Sequence, residues 1–174
     1  MNSFDVANAH GKRGENLVKK TLEQAFKVKL ATKKNLHWDL EIQHNRKEYR
    51  FEVKNDVKSK NTGNLAIEYW NTKLNKASGI GATTADFWVV VLELEDENWN
   101  PVEQAWITKT EDLRNYIHEK PPVRDVKGGD NNSAMKLYRK DDILSIFKRM
   151  DNLGKLEVFN LLEELTNGKG KGKN

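Results

Sequence analysis

Hydrophobic and polar residues alternate along two neighbouring segments in the first third of the chain. In residues 37–42 (HWDLEI) the apolar side chains fall on one side of an extended chain, and Asp39 and Glu41 fall on the other. Residues 49–56 (YRFEVKND) alternate in the same way. Their polar side is formed by Arg50, Glu52 and Lys54. Because a polar run, QHNRKE, separates the two segments, the pattern predicts a β-hairpin.

Other segments have patterns typical of helices, strands and turns. Apolar residues recur at helical spacing over residues 11–28, which predicts a first helix. The near-continuous apolar run at residues 86–94 predicts a buried central strand. Residues 135–140 are typical of a short edge strand, and residues 58–64 of a flexible basic loop. The remaining predicted elements are strands at residues 64–70 and 102–108, helices at residues 109–120, 141–150 and 156–166, and a turn region at residues 75–86.

This order of elements predicts an α/β protein with a mixed central β-sheet flanked by helices. We expect a single domain over residues 1–166. Its core would lie at about residues 11–110, with a C-terminal elaboration of helices and loops at about 111–166. The low-complexity end of the chain, residues 167–174 (NGKGKGKN), predicts a basic disordered tail.

The composition narrows the class of protein. The chain of 174 residues has no Cys, which excludes disulfides, thiolate metal sites and cysteine nucleophiles. No run approaches the roughly 18 apolar residues of a transmembrane helix. The N-terminus also lacks the apolar core of a signal peptide. We therefore expect an intracellular, cytoplasmic protein with no membrane partner.

Basic residues are concentrated in the N-terminal third of the chain. Residues 1–60 contain 14 Lys and Arg against 8 Asp and Glu, whereas residues 86–120 contain 3 against 9. The basic part favours a polyanionic partner such as nucleic acid. Ordinary solvated lysine accounts for the same excess, so charge alone leaves the two interpretations open.

Three polar side chains of the predicted hairpin come together if its strands pair: Asp39, Glu52 and Lys54. Two carboxylates at that distance repel each other unless a cation lies between them. Their oxygens, with the Val53 backbone carbonyl, suit Mg²⁺ or Mn²⁺. The Lys54 ammonium would hold an attacking water or stabilise charge on a phosphate. The alternative is a plain Glu52–Lys54 ion pair on a solvated strand, which contributes only about 0–1 kcal/mol.

The order of these residues, Asp39 and then Glu52-Val53-Lys54 on the next strand, resembles the PD-(D/E)XK nuclease superfamily. The similarity covers roughly residues 11–94. One departure is Trp38, which stands where that superfamily has a Pro before the aspartate. The resemblance implies a restriction-endonuclease-like core and a Mg²⁺-dependent endodeoxyribonuclease in which Mn²⁺ can replace Mg²⁺.

The resemblance also assigns roles to individual residues. Asp39, Glu52 and the Val53 carbonyl would hold the metal, and Lys54 would position or activate the attacking water. Glu41 lies on the same predicted strand face as Asp39 and is an alternative ligand. The spacing between the aspartate and Glu52 favours Asp39.

Two further glutamates extend the predicted site. Glu15 shares the inward face of the first helix with Val18 and Leu22, and it resembles the helix-borne glutamate of Holliday-junction resolvases, which belongs to their metal site. A first-turn Glu favoured by the helix dipole is the alternative. Glu68, on the third predicted strand, would face the same way as Glu52 one strand over. It is either a group that supports the site or a simple strand-face charge.

Several residues are predicted to contact DNA. The segment GIGATTAD resembles one found in phage-type members of the superfamily, and its two threonines would bind backbone phosphates, unless they only cap a helix or turn. Basic residues near the hairpin would track the phosphates and make binding depend on salt. The predicted DNA-contacting residues are Lys12, Arg13, Arg50, Lys58, Lys60, Thr83 and Thr84.

The sequence therefore predicts a metal-dependent DNA endonuclease that hydrolyses phosphodiester bonds. The first expectation is a structure-selective enzyme, similar to a junction resolvase, that acts as a homodimer on branched DNA. The alternative within nucleases is a sequence-specific enzyme of the homing or restriction type. A non-catalytic nucleic-acid-binding module on the same fold is the alternative from another class. The presence of Asp39, Glu52 and Lys54 together argues against that last alternative.

Overall fold

The computed structural model describes residues 3–32, 37–127 and 132–167, with backbone only for residues 3–10. The predicted disordered tail, apart from Asn167, lies outside the described residues. The helices are α1 (Ser3–Leu22), α2 (Ser59–Thr62), α3 (Thr110–Glu119), α4 (Lys140–Leu144) and α5 (Lys155–Asn167). The strands are β1 (Val28–Leu30), β2 (Leu40–His44), β3 (Lys47–Asp56), β4 (Asn64–Asn71), β5 (Lys76–Ala77), β6 (Phe87–Glu95), β7 (Pro101–Lys109), β8 (Arg124–Lys127), β9 (Ser133–Arg139) and β10 (Lys148–Arg149).

A mixed β-sheet forms the centre of the molecule, as predicted. Within the described residues it has six strands in the order β1-β2-β3-β6-β7-β10. Strands β3 and β6 run parallel, and the other neighbouring pairs run antiparallel. Strand β6 is the predicted buried strand, and its first six residues are all buried. The α/β class with a mixed sheet flanked by helices is therefore confirmed.

The predicted hairpin is formed by β2 and β3. Its register runs from Leu40 opposite Phe51 to His44 opposite Lys47. The two turn residues, Asn45 and Arg46, both have positive φ angles, of 49° and 62°. A two-residue turn of this kind matches the twist of antiparallel strands, so it fixes the register of the hairpin.

Helices α1 and α5 cover one face of the central sheet. The apolar side of the hairpin packs there against Val18 and Leu22 of α1 and against the buried residues of α5. Helix α1 approaches β3 closely at Gly14, where a Cβ atom would lie 3.1 Å from the Asn55 side-chain oxygen. This close approach holds the first helix over the C-terminal half of β3.

The opposite face of the central sheet is covered by a second sheet, which the sequence did not predict. Its strands are antiparallel in the order β5-β4-β9-β8. Leu65 and Ile67 of β4 pack against Trp88 and Val90 of β6. The prediction that β4 would extend the central sheet beside β3 is therefore wrong, because the parallel strand β6 takes that place.

Strand β9 also differs from its prediction as an edge strand. It pairs with β4 on one side and with β8 on the other, so it lies inside the second sheet. The alternation of apolar and polar residues identified the strand but carried no information about its neighbours.

The predicted elements at three other places have different bounds. Helix α1 begins at Ser3, before the predicted start at residue 11, and the predicted basic loop contains the short helix α2. The predicted helix over residues 141–150 ends at Leu144 and is followed by β10. Phe147 packs between the two sheets whereas Met150 packs in the helix-covered core, so the chain crosses the sheet edge instead of continuing as a helix.

None of the helices in the described residues is long and apolar enough to cross a membrane.

Candidate active site

The β2–β3 hairpin brings Asp39, Glu52 and Lys54 together, as the sequence predicted. Asp39 directly precedes β2, and its backbone N–H donates a hydrogen bond to the Phe51 carbonyl at 2.8 Å. Its Oδ2 atom accepts a hydrogen bond from the Val53 N–H at 2.7 Å. The Lys54 Nζ atom lies 2.5 Å from Glu52 Oε1. The acids and the lysine thus come from adjacent strands whose register fixes their separation.

Glu52 is a buried carboxylate. Its side chain is 9% exposed, whereas the side chain of Lys54 is 43% exposed. Burial raises the pKa of Glu52, and the charge of Asp39 raises it further, while Lys54 partly offsets both. A second cation close to the two carboxylates would favour their ionised forms.

Lys54 keeps its proton in this arrangement. Burial by itself would lower the pKa of Lys54, but the charge and hydrogen bond of Glu52 raise it, and the charges of Asp39 and Glu68 add to that. The net effect is a raised pKa. The ammonium also lies 5.7 Å from the centre of the Trp88 ring. In the free protein Lys54 is therefore a fixed positive charge that can interact with an anion.

Helix α1 carries Glu15 towards this group of charges. Glu15 is half-buried, and its pKa is raised by burial and by the charge of Asp39, against the opposing effect of Lys54. Within the described residues, however, no three carboxylate or imidazole side chains form a group that could hold a metal ion. The structure places Glu15 close to the other charges but not in such a cluster, and its role as a ligand stays a prediction.

The carbonyl group of Val53 is the third predicted metal ligand, and the strand geometry shows which way it points. Its N–H points towards Asp39, on the β2 side of β3, and the carbonyl of a strand residue points to the same side as its N–H. The paired stretch of β2 and β3 ends at Leu40 and Phe51, so Val53 lies beyond it. The carbonyl oxygen of Val53 therefore faces the start of β2, beyond the last paired residues of the two strands.

The donor set fits a hard divalent cation. Two carboxylates, Asp39 and Glu52, and the Val53 carbonyl provide oxygen atoms only. Mg²⁺ prefers oxygen, keeps several of its waters and commonly takes one or two carboxylates from the protein. A site with fewer than three acidic ligands is thus compatible with Mg²⁺.

Thr83 has a different position from the one predicted. It was expected at a DNA phosphate, but it is 5% exposed and lies behind Glu52. Its hydroxyl donates to the His37 carbonyl at 2.7 Å and lies 3.4 Å from Glu52 Oε2. It also accepts a hydrogen bond from the Ala85 N–H at 3.1 Å. Burial argues against a phosphate contact and indicates that Thr83 orients Glu52, while the neighbouring Thr84 is exposed.

Glu68 reaches the site from the second sheet. Its strand is not adjacent to β3, so the expected position one strand over from Glu52 is wrong. Its Oε1 atom accepts a hydrogen bond from Ser78 at 2.6 Å, and its charge contributes to the raised pKa of Lys54. Glu68 therefore lies near enough to Lys54 for its charge to favour the protonated ammonium.

Glu41 and Arg50 form a separate ion-paired group on the same hairpin. Arg50 Nε lies 3.1 Å from Glu41 Oε2, and Lys29 Nζ lies 3.2 Å from Glu41 Oε1. Burial raises the pKa of Glu41, but the hydrogen bonds and charges of these two cations outweigh it and lower the pKa. Both Glu41 oxygens have cationic partners, so this group explains Glu41 without a metal. Arg50 is likewise ion-paired with Glu41, so a contact with a phosphate would have to replace this pair.

The other predicted DNA contacts lie on the surface near the site. Lys12 and Lys58 are exposed. Arg13 Nε lies 2.7 Å from Glu103 Oε1, and Lys60 Nζ lies 3.4 Å from Glu95 Oε1. Both basic side chains are therefore ion-paired with acidic residues of the β6–β7 hairpin.

A cleft of about 480 Å³ opens beside Lys54, between the end of β3 and the second sheet. Its walls are mainly apolar and include Trp88 of β6 and Ile67 of β4. The sequence did not reveal this cleft. The apolar residues of β6 indicated a buried strand, but only the parallel pairing of β3 with β6 places Trp88 opposite Glu52.

The comparisons with known proteins concern the fold. No family model matches the chain, and no curated protein matches it. Among solved structures, the chain is similar to a bacterial homing endonuclease, I-Ssp6803I, with a TM-score of 0.52 and 16% identity. The match covers 96% of this chain and 98% of that chain. It therefore includes the second sheet as well as the sheet that carries the candidate site, and it shows a fold shared with a nuclease.

Proposed function

We propose that this protein is a metal-dependent DNA endonuclease that hydrolyses phosphodiester bonds. The observation that carries the proposal is the grouping of Asp39, buried Glu52 and Lys54 at one end of the β2–β3 hairpin. A salt bridge on a solvated strand would not bury its carboxylate or place a second carboxylate across the hairpin. The shared fold with a homing endonuclease supports the same class of activity.

Each residue has a defined task in the proposed reaction. Lys54 turns its ammonium from Glu52 towards the scissile phosphate, where it holds the attacking water or stabilises the developing negative charge. Its partial exposure leaves room for this movement. Thr83 restrains Glu52 from behind, and the Val53 N–H restrains Asp39. Glu68 helps to keep Lys54 protonated.

Asp39, Glu52 and the Val53 carbonyl would hold Mg²⁺, with Mn²⁺ as a replacement and Glu15 as a further ligand, directly or through water. When bound, such an ion polarises the phosphate and readies a water for attack. The protein contributes the fixed carboxylates and the buried environment that makes their charges effective.

The comparison favours a sequence-specific substrate over branched DNA. One solved structure with a similar fold is that of a homing endonuclease, and the match extends over the second sheet. That sheet adjoins the candidate site through the cleft beside Lys54, so it is the element of the fold best placed to contact bases. We therefore propose a site-specific endonuclease and keep the junction-selective enzyme as the second candidate, since Glu15 on α1 lies near enough to Asp39 for their charges to interact.

A cleavage assay over several kinds of DNA tests this function. The purified chain is incubated with a pooled library of randomised duplexes, a plasmid, a four-way junction and single strands, with Mg²⁺, with Mn²⁺ and with EDTA. Metal-dependent cuts at a common sequence in the library support the site-specific enzyme, and preferential cutting of the junction supports the second candidate. No cleavage of any DNA with either metal would reject the endonuclease.

We also propose that the active form is a homodimer, because cutting two strands symmetrically needs two sites related by a twofold axis. Sedimentation analysis with and without duplex DNA measures this directly. A monomer that binds DNA as a single copy and nicks one strand would contradict it.

A further inference from the structure

The roles proposed for Asp39, Glu52 and Lys54 leave the cleft beside Lys54 without an assigned occupant. It is lined by residues of β4, β6, β8 and β9, by the end of β3 and by the loop that follows β3. Its volume is about 480 Å³, which lies in the range of small-molecule sites, about 300–1,000 Å³. The apolar residues of its walls are Val57, Leu65, Ala66, Ile67, Trp88, Val90, Val126, Met135 and Leu137.

Polar groups occur among these apolar walls. The lining also includes Asn64, the basic residues Lys54, Lys58 and Lys127, and the acids Asp56 and Glu68. Trp88, whose ring forms part of the apolar wall, has a buried Nε1–H without a hydrogen-bond partner among the described residues. Buried polar atoms usually have partners, so a donor left over beside the cleft favours a ligand that carries hydrogen-bond acceptors.

The position of the cleft restricts what that ligand can be. Lys54 both lines the cleft and, in the proposed reaction, contacts the scissile phosphate. Whatever part of the substrate enters the cleft is therefore directly attached to that phosphate. The parts of DNA attached to a phosphate are the sugars and bases of the two flanking nucleotides. A base combines flat apolar faces with hydrogen-bond acceptors at its edges, which matches the apolar walls and the Trp88 indole N–H.

We infer that the cleft receives one nucleoside that flanks the scissile phosphate, with its base removed from the stack. This inference rests on the proposed function and adds a substrate subsite to it. A base cannot enter the cleft while it stays stacked in a duplex, so cleavage requires the flanking nucleotide to unstack. Flexible pyrimidine–purine steps and mismatched bases unstack most readily and are the preferred positions.

Filling the cleft tests this inference. Ala66 is an exposed cleft residue of β4, and Ala66→Trp places a large ring in the cleft. Ala134 lies in the neighbouring strand β9 outside the cleft, and Ala134→Trp is the matched control. Met135→Trp is a second cleft-filling variant, used if Ala66→Trp does not fold as judged by thermal unfolding. Single-turnover cleavage is measured on a duplex spanning a mapped cut and on duplexes with an abasic nucleotide on either side of it.

The expected result is a loss specific to the intact duplex. Ala66→Trp slows its cleavage by about 100-fold, as a misplacement of about 1 Å does. An abasic nucleotide on one side of the cut restores cleavage by the variant, because no base then has to enter the cleft. Ala134→Trp cleaves both duplexes at the wild-type rate.

Two results would overturn the nucleoside subsite while the endonuclease stands. One is wild-type cleavage of the intact duplex by Ala66→Trp. The other is an equal loss on intact and abasic duplexes, which a purely structural effect or a small-molecule site would give. If the wild-type chain cleaves no DNA at all, both the proposed endonuclease and the nucleoside subsite are rejected.

Discussion

The hydroxyl of Thr83 offers a sharp test of how the site is built. Thr83→Val keeps the shape of the side chain and removes a hydroxyl that donates to the His37 carbonyl, approaches Glu52 and accepts the Ala85 N–H. Ala85 is 5% exposed, so its N–H is left buried without that acceptor. Such a loss costs about 1–3 kcal/mol of the free energy of unfolding. For a chain of this size it lowers the melting temperature by about 2–12 °C.

The variant also separates two roles for Thr83. If the residue orients Glu52, Thr83→Val lowers the rate of the cleavage step and leaves the affinity for DNA unchanged. Thr83→Ser is the matched control, because it retains the hydroxyl and should keep most of both stability and activity. Thermal unfolding, single-turnover cleavage and DNA binding in EDTA are measured on all three proteins.

Two outcomes would show that the Thr83 hydroxyl does not orient Glu52. If Thr83→Val binds DNA more weakly while its melting temperature is unchanged, Thr83 contacts phosphate as its sequence context first suggested. If the Val and Ser variants behave alike, the hydroxyl has no role in orienting Glu52.

Three further predictions concern stability and DNA binding. Burial raises the pKa of Glu52, so ionisation of this carboxyl destabilises the fold as pH rises through that pKa. Glu52→Gln should therefore have a higher melting temperature than wild type at pH 7 in EDTA, and this gain should vanish in acid below the unfolded-state pKa. A lower melting temperature of the variant at pH 7 would contradict this. A Cβ atom on Gly79, whose φ is +51°, would lie 2.3 Å from the Glu68 carbonyl oxygen. Gly79→Ala should therefore lower the free energy of unfolding by about 2–5 kcal/mol, because of the left-handed backbone and the steric overlap with that oxygen. Gly63, with φ +67° and no atom within 4 Å of such a Cβ, is its control, and Gly63→Ala should lose only about 1–2 kcal/mol. Lys58→Ala should reduce the slope of log affinity against log salt by about 1 if Lys58 contacts a phosphate; an unchanged slope would remove it from the interface.

The hairpin could be predicted from sequence because its determinants are local. Period-two alternation defined both strands, and the polar run between them contains the two residues that adopt positive φ. Once the strands pair, Asp39 and Glu52 must come close, so the centre of the site followed from the pattern. The helical spacing of Glu15 from Val18 likewise predicted which face of α1 carries it, while its role as a ligand stays a prediction.

The surroundings of the site depend on contacts that are distant in sequence. Strand β6 pairs with β3, and β4 belongs to a second sheet, although both β4 and β6 follow β3 and have apolar residues. The sequence therefore misplaced Glu68 and gave no sign of the cleft. Thr83 was misread because its partner Glu52 lies 31 positions away. The ion pairs of Arg50 and Arg13 depend in the same way on strand register and on the packing of α1 against the β6–β7 hairpin.

A comparison of two glutamates on one hairpin is the sharpest test of whether Asp39, Glu52 and Lys54 form a hydrolytic site. Glu41, like Glu52, is a buried acid paired with a cation, but it lies outside the site. Single-turnover cleavage in Mg²⁺ is measured for wild type, Glu52→Gln, Lys54→Ala and Glu41→Gln, with DNA binding measured alongside. We expect Glu52→Gln and Lys54→Ala each to lose about 100-fold or more in rate while still binding DNA, and Glu41→Gln to cleave normally. Cleavage by Glu52→Gln at the wild-type rate would contradict this.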